Sequence, residues 1–116
     1  MTEITREQIE NMPAGYKINK LISQYVFSLK TVKNWSDNDC KALETVHFVK
    51  DKTYKNPRQN SIYTTPRYVE MEYWQGDWMV KIHGPIPSVN GGMGIGHAET
   101  LALAICRAVL LAFLGL

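Results

Sequence analysis

The chain has 116 residues, of which 45% are apolar, enough for one real core and too many for wholesale disorder. Thirteen Lys and Arg against eleven Asp and Glu leave a formal net charge of +2. That excludes the broad basic field with which proteins hold DNA or RNA polymers non-specifically.

The expected organisation is a single domain over residues 1–116. Cys40 and Cys106 show no CxxC or Cys/His spacing, so no zinc motif is expected, and a disulfide between them is disfavoured. The opening MTEITREQIENM is charged and has no apolar h-region, which predicts no signal peptide. The apolar C-terminal run is about 16 residues and carries Arg107, so it is too short and too interrupted to span a membrane. These features predict a reduced, cytosolic protein.

Thr5-Arg-Glu-Gln8 reads as a capping box opening a short helix that ends before Pro13. Pro13-Ala-Gly15 is a break. A second helix follows, with Ile18, Leu21, Ile22, Tyr25 and Val26 on one stripe and Lys17, Asn19, Lys20 and Gln24 on the other side. Residues 34 to 39 read as a loop. Val46 and Phe48, with Leu43, point to a strand. The basic stretch KDKTYKNPRQN, residues 50 to 60, reads as a loop.

SIYTTPRYVEMEYW is a second strand candidate that Pro66 must bulge, split or push to an edge. Gln75-Gly76-Asp77 predicts a turn. DWMVKIH alternates Trp78, Val80 and Ile82 with Met79, Lys81 and His83, so the two flanking strands should form a hairpin. GPIPSVNGGMGIG, residues 84 to 96, reads as a Pro/Gly-rich connection, and His97 as the start of the last helix. The sum is an α+β domain: a small antiparallel sheet with N-terminal helices and a C-terminal helix packed on it.

Two features could carry chemistry. Gly91, Gly92, Gly94 and Gly96 before a helix start could cradle an anion on free N–H groups, or could simply connect two elements. No GK[ST] follows, and the chain is too short for a dinucleotide-binding unit. Arg107 is the one charged side chain after Glu99. It must pair with an acid such as Glu70, Glu72 or Asp77, or fork onto a ligand phosphate or carboxylate.

Tyr63, Tyr68, Tyr73, Trp74 and Trp78 crowd the later strands, where they serve the core or stack on a base. Arg58 and Arg67 flank this region. The Asn90 amide can read a base edge or ribose hydroxyl. His47, His83 and His97 show no metal spacing, and no GxSxG is present, so catalysis is not expected.

ITREQIENMPAGYKINKLISQYVF resembles the opening of small phage proteins of the ABA-sandwich domain, and GHAETLALAICRAVLLAFL resembles their closing helix. Together the two stretches cover somewhat over a third of the chain. The commonest members carry a helical segment in the middle. Residues 34 to 75 read here as strand, loop and strand, and that departure points to the first class of Thoeris anti-defence sponges.

The resemblance implies a phage protein acting in the cytoplasm of the infected bacterium. It would sequester a cyclic ADP-ribose isomer, or cyclic oligonucleotides, without cleaving it, using no cofactor and no metal. It further implies a homo-oligomer, dimer or hexamer, with no membrane and no nucleic-acid polymer as partner. The alternative is a phage protein that inhibits a host defence protein directly.

The ligand-binding set carried over is Asn90, Gly91, Gly92, Met93, Gly94, Ile95, Arg107 and Arg58, with Trp74 or Trp78 as the base-stacking ring. On this reading Gly94→Val and Arg107→Ala abolish binding and leave the thermal melt largely intact.

Overall fold

The computed structural model describes residues 4–50, 54–56, 61–63, 69–83 and 93–114. Its architecture is α+β. Helix α1 (Arg6–Glu10) leads into α2 (Tyr16–Leu21), which continues as a π-helical segment (Ile22–Val26), and α3 (Asp39–Lys50) follows. Strands β1 (Tyr54–Asn56) and β2 (Ser61–Tyr63) pair antiparallel as a separate two-stranded unit. Strands β3 (Val69–Trp74), β4 (Asp77–His83) and β5 (Met93–Ala98) form an antiparallel sheet in that order, and α4 (Leu101–Leu114) closes the chain.

The expected capping box is present. Thr5 Oγ1 accepts the Gln8 N–H at 3.2 Å, and Gln8 Oε1 accepts the Thr5 N–H at 3.0 Å. The stripe of the second helix buries Ile18, Ile22 and Val26. Tyr25 departs from it and stays 41% exposed. The wider π turns advance each residue by less than the α-helical angle, so the stripe slips by the end of the segment. Asn19, expected on the polar side, is buried. Its Oδ1 accepts the Ser36 N–H at 2.9 Å and its Nδ2 donates to Asn34 Oδ1.

The strand expected around Leu43, Val46 and Phe48 is a helix, α3. Asn38, read as loop, is its start signal: Oδ1 accepts the Lys41 N–H at 3.0 Å and its carbonyl takes the Ala42 N–H at 2.9 Å. Ala42, Thr45 and Val46 are buried at i, i+3 and i+4, a helical spacing that outweighs β-branched propensity. The Thr45 hydroxyl donates to the Ala42 carbonyl, so its burial costs no unpaired polar group. The basic loop expected over residues 50 to 60 contains strand β1.

The segment splits as expected, with β2 and β3 in different sheets; Pro66 lies outside the described residues. The hairpin also holds. Tyr73 faces Trp78, Trp74 faces Asp77, and Gln75 and Gly76 turn the chain with φ of 50° and 83°. Two successive positive φ values are the signature of a type I′ turn, whose twist matches the strands it joins.

The close of the chain differs from expectation. Residues 93 to 98 are strand β5, not connection, and His97 lies in that strand. Helix α4 starts at Leu101, where Thr100 Oγ1 accepts the Leu103 N–H at 3.3 Å. This helix is apolar on nearly every side because it is covered on nearly every side. The sheet packs on one flank through β4 and β5, and α1, α3 and the π segment pack on the others. Its buried residues Ala104, Ile105, Cys106 and Ala108 to Leu111 join Val80, Ile82, Ile18, Ile22 and Trp35 in one core. Among the described residues no helix is long and apolar enough to cross a membrane.

Candidate functional site

Arg107 does not pair with the acid expected for it. Its Nε and Nη2 donate to the Met12 carbonyl at 3.2 and 2.8 Å, and Nη1 donates to the His97 carbonyl. No carboxylate takes part. Glu70 instead pairs with Lys81 at 3.7 Å, and Asp77 with His97. The guanidinium joins the break after α1 to β5, a strand at the sheet edge. Partial burial lowers its pKa through desolvation. Arginine stays charged even so, and three of its N–H directions are already spent on backbone.

Gly94 and Gly96 are likewise explained by packing. A Cβ on Gly94 would stand 2.6 Å from Ala112 N, and one on Gly96 would stand 2.6 Å from Ala108 N. The carbonyls of Ala108 and Ala104 would be nearer still. These glycines, facing Ala104, Ala108 and Ala112, let a strand and a helix backbone approach closely. Ile95 points to the opposite sheet face, half-buried, across from Lys81. Met93 opens β5 opposite His83. Asn90, Gly91, Gly92 and Arg58 lie outside the described residues.

The two tryptophan candidates lie on opposite faces of the sheet. Trp78 shares the face of buried Val80 and Ile82, packs partly against the core and meets the Tyr73 ring at 5.0 Å. Trp74 falls on the other face and is 74% exposed. One ligand base therefore cannot stack on both rings at once, and Trp74 is the one with a free π-face.

Around Arg107 lies an open groove of about 530 Å³ at the start of α4. Its polar lining was not legible in the sequence: Glu10, Asp37, Asp77 and Glu99, with His97. His97 Nδ1 lies 2.8 Å from Asp77 Oδ2, an interaction that orients the ring of an exposed side chain. Four carboxylates around one engaged guanidinium make this groove a poor seat for a pyrophosphate. Thr100, also in the lining, is occupied in capping α4. Among the described residues no group of three or more His, Cys, Asp or Glu could hold a metal ion.

Sequence spacing could not have shown the Asp77–His97 pair, because 20 residues and a strand crossing separate its members. Ser23 was missed for the same reason. Its hydroxyl accepts Trp35 Nε1–H at 2.9 Å and the Lys33 N–H at 3.4 Å from a later loop. Compared with protein-family models, with curated proteins and with solved structures, the chain finds no match.

Proposed function

We propose that the protein binds a nucleotide-derived immune second messenger, a cyclic ADP-ribose isomer or a cyclic oligonucleotide, and sequesters it without cleavage in the cytoplasm of a phage-infected bacterium. The observation that carries this reading is Trp74, a large aromatic 74% exposed beside the β3–β4 turn, with the free π-face that base stacking requires. The resemblance of the two ends of the chain to phage ABA-sandwich proteins supports it. Helix α3 removes part of the departure that pointed to the sponge class, since these residues are helical after all. The short β1–β2 pair is what remains of it.

In this reading Trp74 supplies the π-face, and Asn90, Gly91, Gly92 and Arg58 supply the polar contacts; because Trp74 stands at the β3–β4 turn, the end of the sheet opposite to the one where Met93 enters β5, the two sets are contributed to one ligand by different subunits. Gly94, Gly96 and Arg107 hold the wall in shape. Four carboxylates line the Arg107 groove, so the phosphates require cations from elsewhere, including a second subunit of a dimer or hexamer. Useful sequestration needs a tight complex, and a Kd of about 10 nM corresponds to about −11 kcal/mol.

Calorimetric titration with cyclic ADP-ribose isomers and with cyclic di- and trinucleotides tests the reading, followed by heat release and chromatography of the ligand. Tight binding, intact recovered ligand and at least a tenfold loss on Trp74→Ala, of the size of one lost base stack (about 1–3 kcal/mol), are expected. Absence of binding to the whole panel would sink it.

A second reading, direct inhibition of a host defence protein, is favoured by one observation. Met71, Tyr73 and Trp74 are 37%, 57% and 74% exposed along β3, at a sheet edge. There Trp74→Ala breaks a complex with the signal-producing enzyme, and the free signal is never bound.

A further inference from the structure

The charges of this chain are sorted in space. Residues 11 to 36 hold Lys17, Lys20, Lys30 and Lys33 and no acid, so this segment carries +4 and the rest of the chain, at +2 overall, carries −2. All four lysines are exposed, and none has a carboxylate partner among the described residues. The Lys33 ammonium lies 5.9 Å from the centre of the Trp35 ring.

Two of the lysines converge. Tyr16, Lys20 and Gln24 follow one another at four-residue steps along α2 and the π segment, which sets them in a row. Lys30 arrives from the following loop, which turns back on Ser23. The Ser23 carbonyl accepts the Leu29 N–H at 2.8 Å, and its hydroxyl accepts the Lys33 N–H and Trp35 Nε1–H. Ser28, at φ 57°, makes the reversal, and Phe27 stacks on Trp35 with centroids 4.6 Å apart.

Between the row and the loop is a groove of about 330 Å³ lined by Tyr16, Lys20, Gln24, Leu29 and Lys30. That volume falls within the range of about 300–1,000 Å³ typical of small-molecule sites.

We propose that this groove is a binding site for a nucleoside phosphate, with Lys20 and Lys30 on the phosphate oxygens and the Tyr16 ring against the base. Lys20 and Lys30 line the same groove, and a phosphate bound between them would take two charge-assisted contacts. The hydrogen bonds of Leu29 and Lys33 to Ser23 anchor the backbone on either side of Lys30, which lowers the cost of ordering the loop on binding. Tyr16 is 68% exposed and so presents a free face, and the Gln24 amide offers a donor and an acceptor for a base or ribose. The site is separate from Trp74 and from the acidic groove, and it stands independently of the sequestration reading.

Amide NMR of the full chain titrated with ADP, inorganic pyrophosphate, adenosine and a short single-stranded oligoribonucleotide tests the site. ADP is expected to shift Tyr16, Lys20, Gln24, Leu29 and Lys30, with pyrophosphate shifting the same amides more weakly. Added salt should weaken both. Lys20→Ala with Lys30→Ala should reduce ADP affinity at least tenfold, with the thermal melt and the cyclic ADP-ribose titration unchanged.

If ADP and pyrophosphate leave these amides unmoved in a folded sample, the proposal is overturned. It is equally overturned if only the oligoribonucleotide moves them, since the site then serves a polymer. Loss of cyclic ADP-ribose binding in wild-type protein bears on the sequestration reading alone.

Discussion

Arg107 of the last helix and Met12 at the first chain break are bound to each other: Nε and Nη2 of the one donate to the carbonyl of the other at 3.2 and 2.8 Å. Ninety-five positions separate them. With its third bond, to the His97 carbonyl, the guanidinium fastens the N-terminal helices, the edge strand and α4 at one point. Arg107→Ala leaves both carbonyls without their charged donor. Such bonds contribute about 1.5–3 kcal/mol, and the half-exposed setting places each at or below the low end, so a loss of about 2 kcal/mol is expected. For a domain of this size that lowers Tm by about 10 °C in a calorimetric scan. Arg107→Lys should recover little, because one ammonium cannot reproduce the fork.

Gly94→Ala and Gly96→Ala each drive a Cβ into the backbone of α4. The obstacle is helix backbone and not a flexible side chain, so relief requires α4 to move off the sheet. Each substitution should cost about 2–3 kcal/mol. Denaturant titration should show a lower midpoint for both. Gly94→Val is expected to lose binding only through the fold, and a variant with a wild-type midpoint would contradict the packing account.

The hairpin turn offers a gain. Gln75 holds φ at 50°, a conformation that Asn or Gly adopts more readily. Gln75→Asn should raise stability by about 0.5 kcal/mol. Gly76→Ala, at φ 83°, should lower it by about 1 kcal/mol. Thermal melts of the two variants should move in opposite directions.

Cys106 lies deep in α4, where burial, assisted by the negative charge of Asp37, pushes its thiol up to about 12. Cys40 is exposed. Iodoacetamide at pH 8 should therefore alkylate Cys40 alone in the folded protein and both cysteines in urea. The pH dependence has a definite sign. The unfolded thiol ionises near 9, so between pH 9 and 12 the unfolded state binds fewer protons than the native state. Stability from this group is complete below pH 9 and is lost as pH rises toward 12, and Cys106→Ala should flatten that part of the profile.

Local patterns in the sequence were enough for the capping box at Thr5, the break at Pro13, the hairpin around Gly76, the division between β2 and β3 and the α+β class. Each of these depends on neighbours within a few residues or on a simple period. The reading failed where a long-range contact decides. Thr45 and Val46 look like strand residues, yet they lie on the helical face that α3 turns to the core. Gly94 and Gly96 read as part of a connection, yet they lie in β5, close against the backbone of α4.

The sequence by itself determined that Arg107 needs partners, because a guanidinium among apolar residues cannot be left bare. Only the tertiary structure decided that those partners are the carbonyls of Met12 and His97. It also decided that four carboxylates gather around Arg107 and that lysines from two segments meet beside Tyr16. The physical reason is the same throughout. Burial cost is a property of the residue, and its compensation depends on which distant segment the fold brings within about 3 Å.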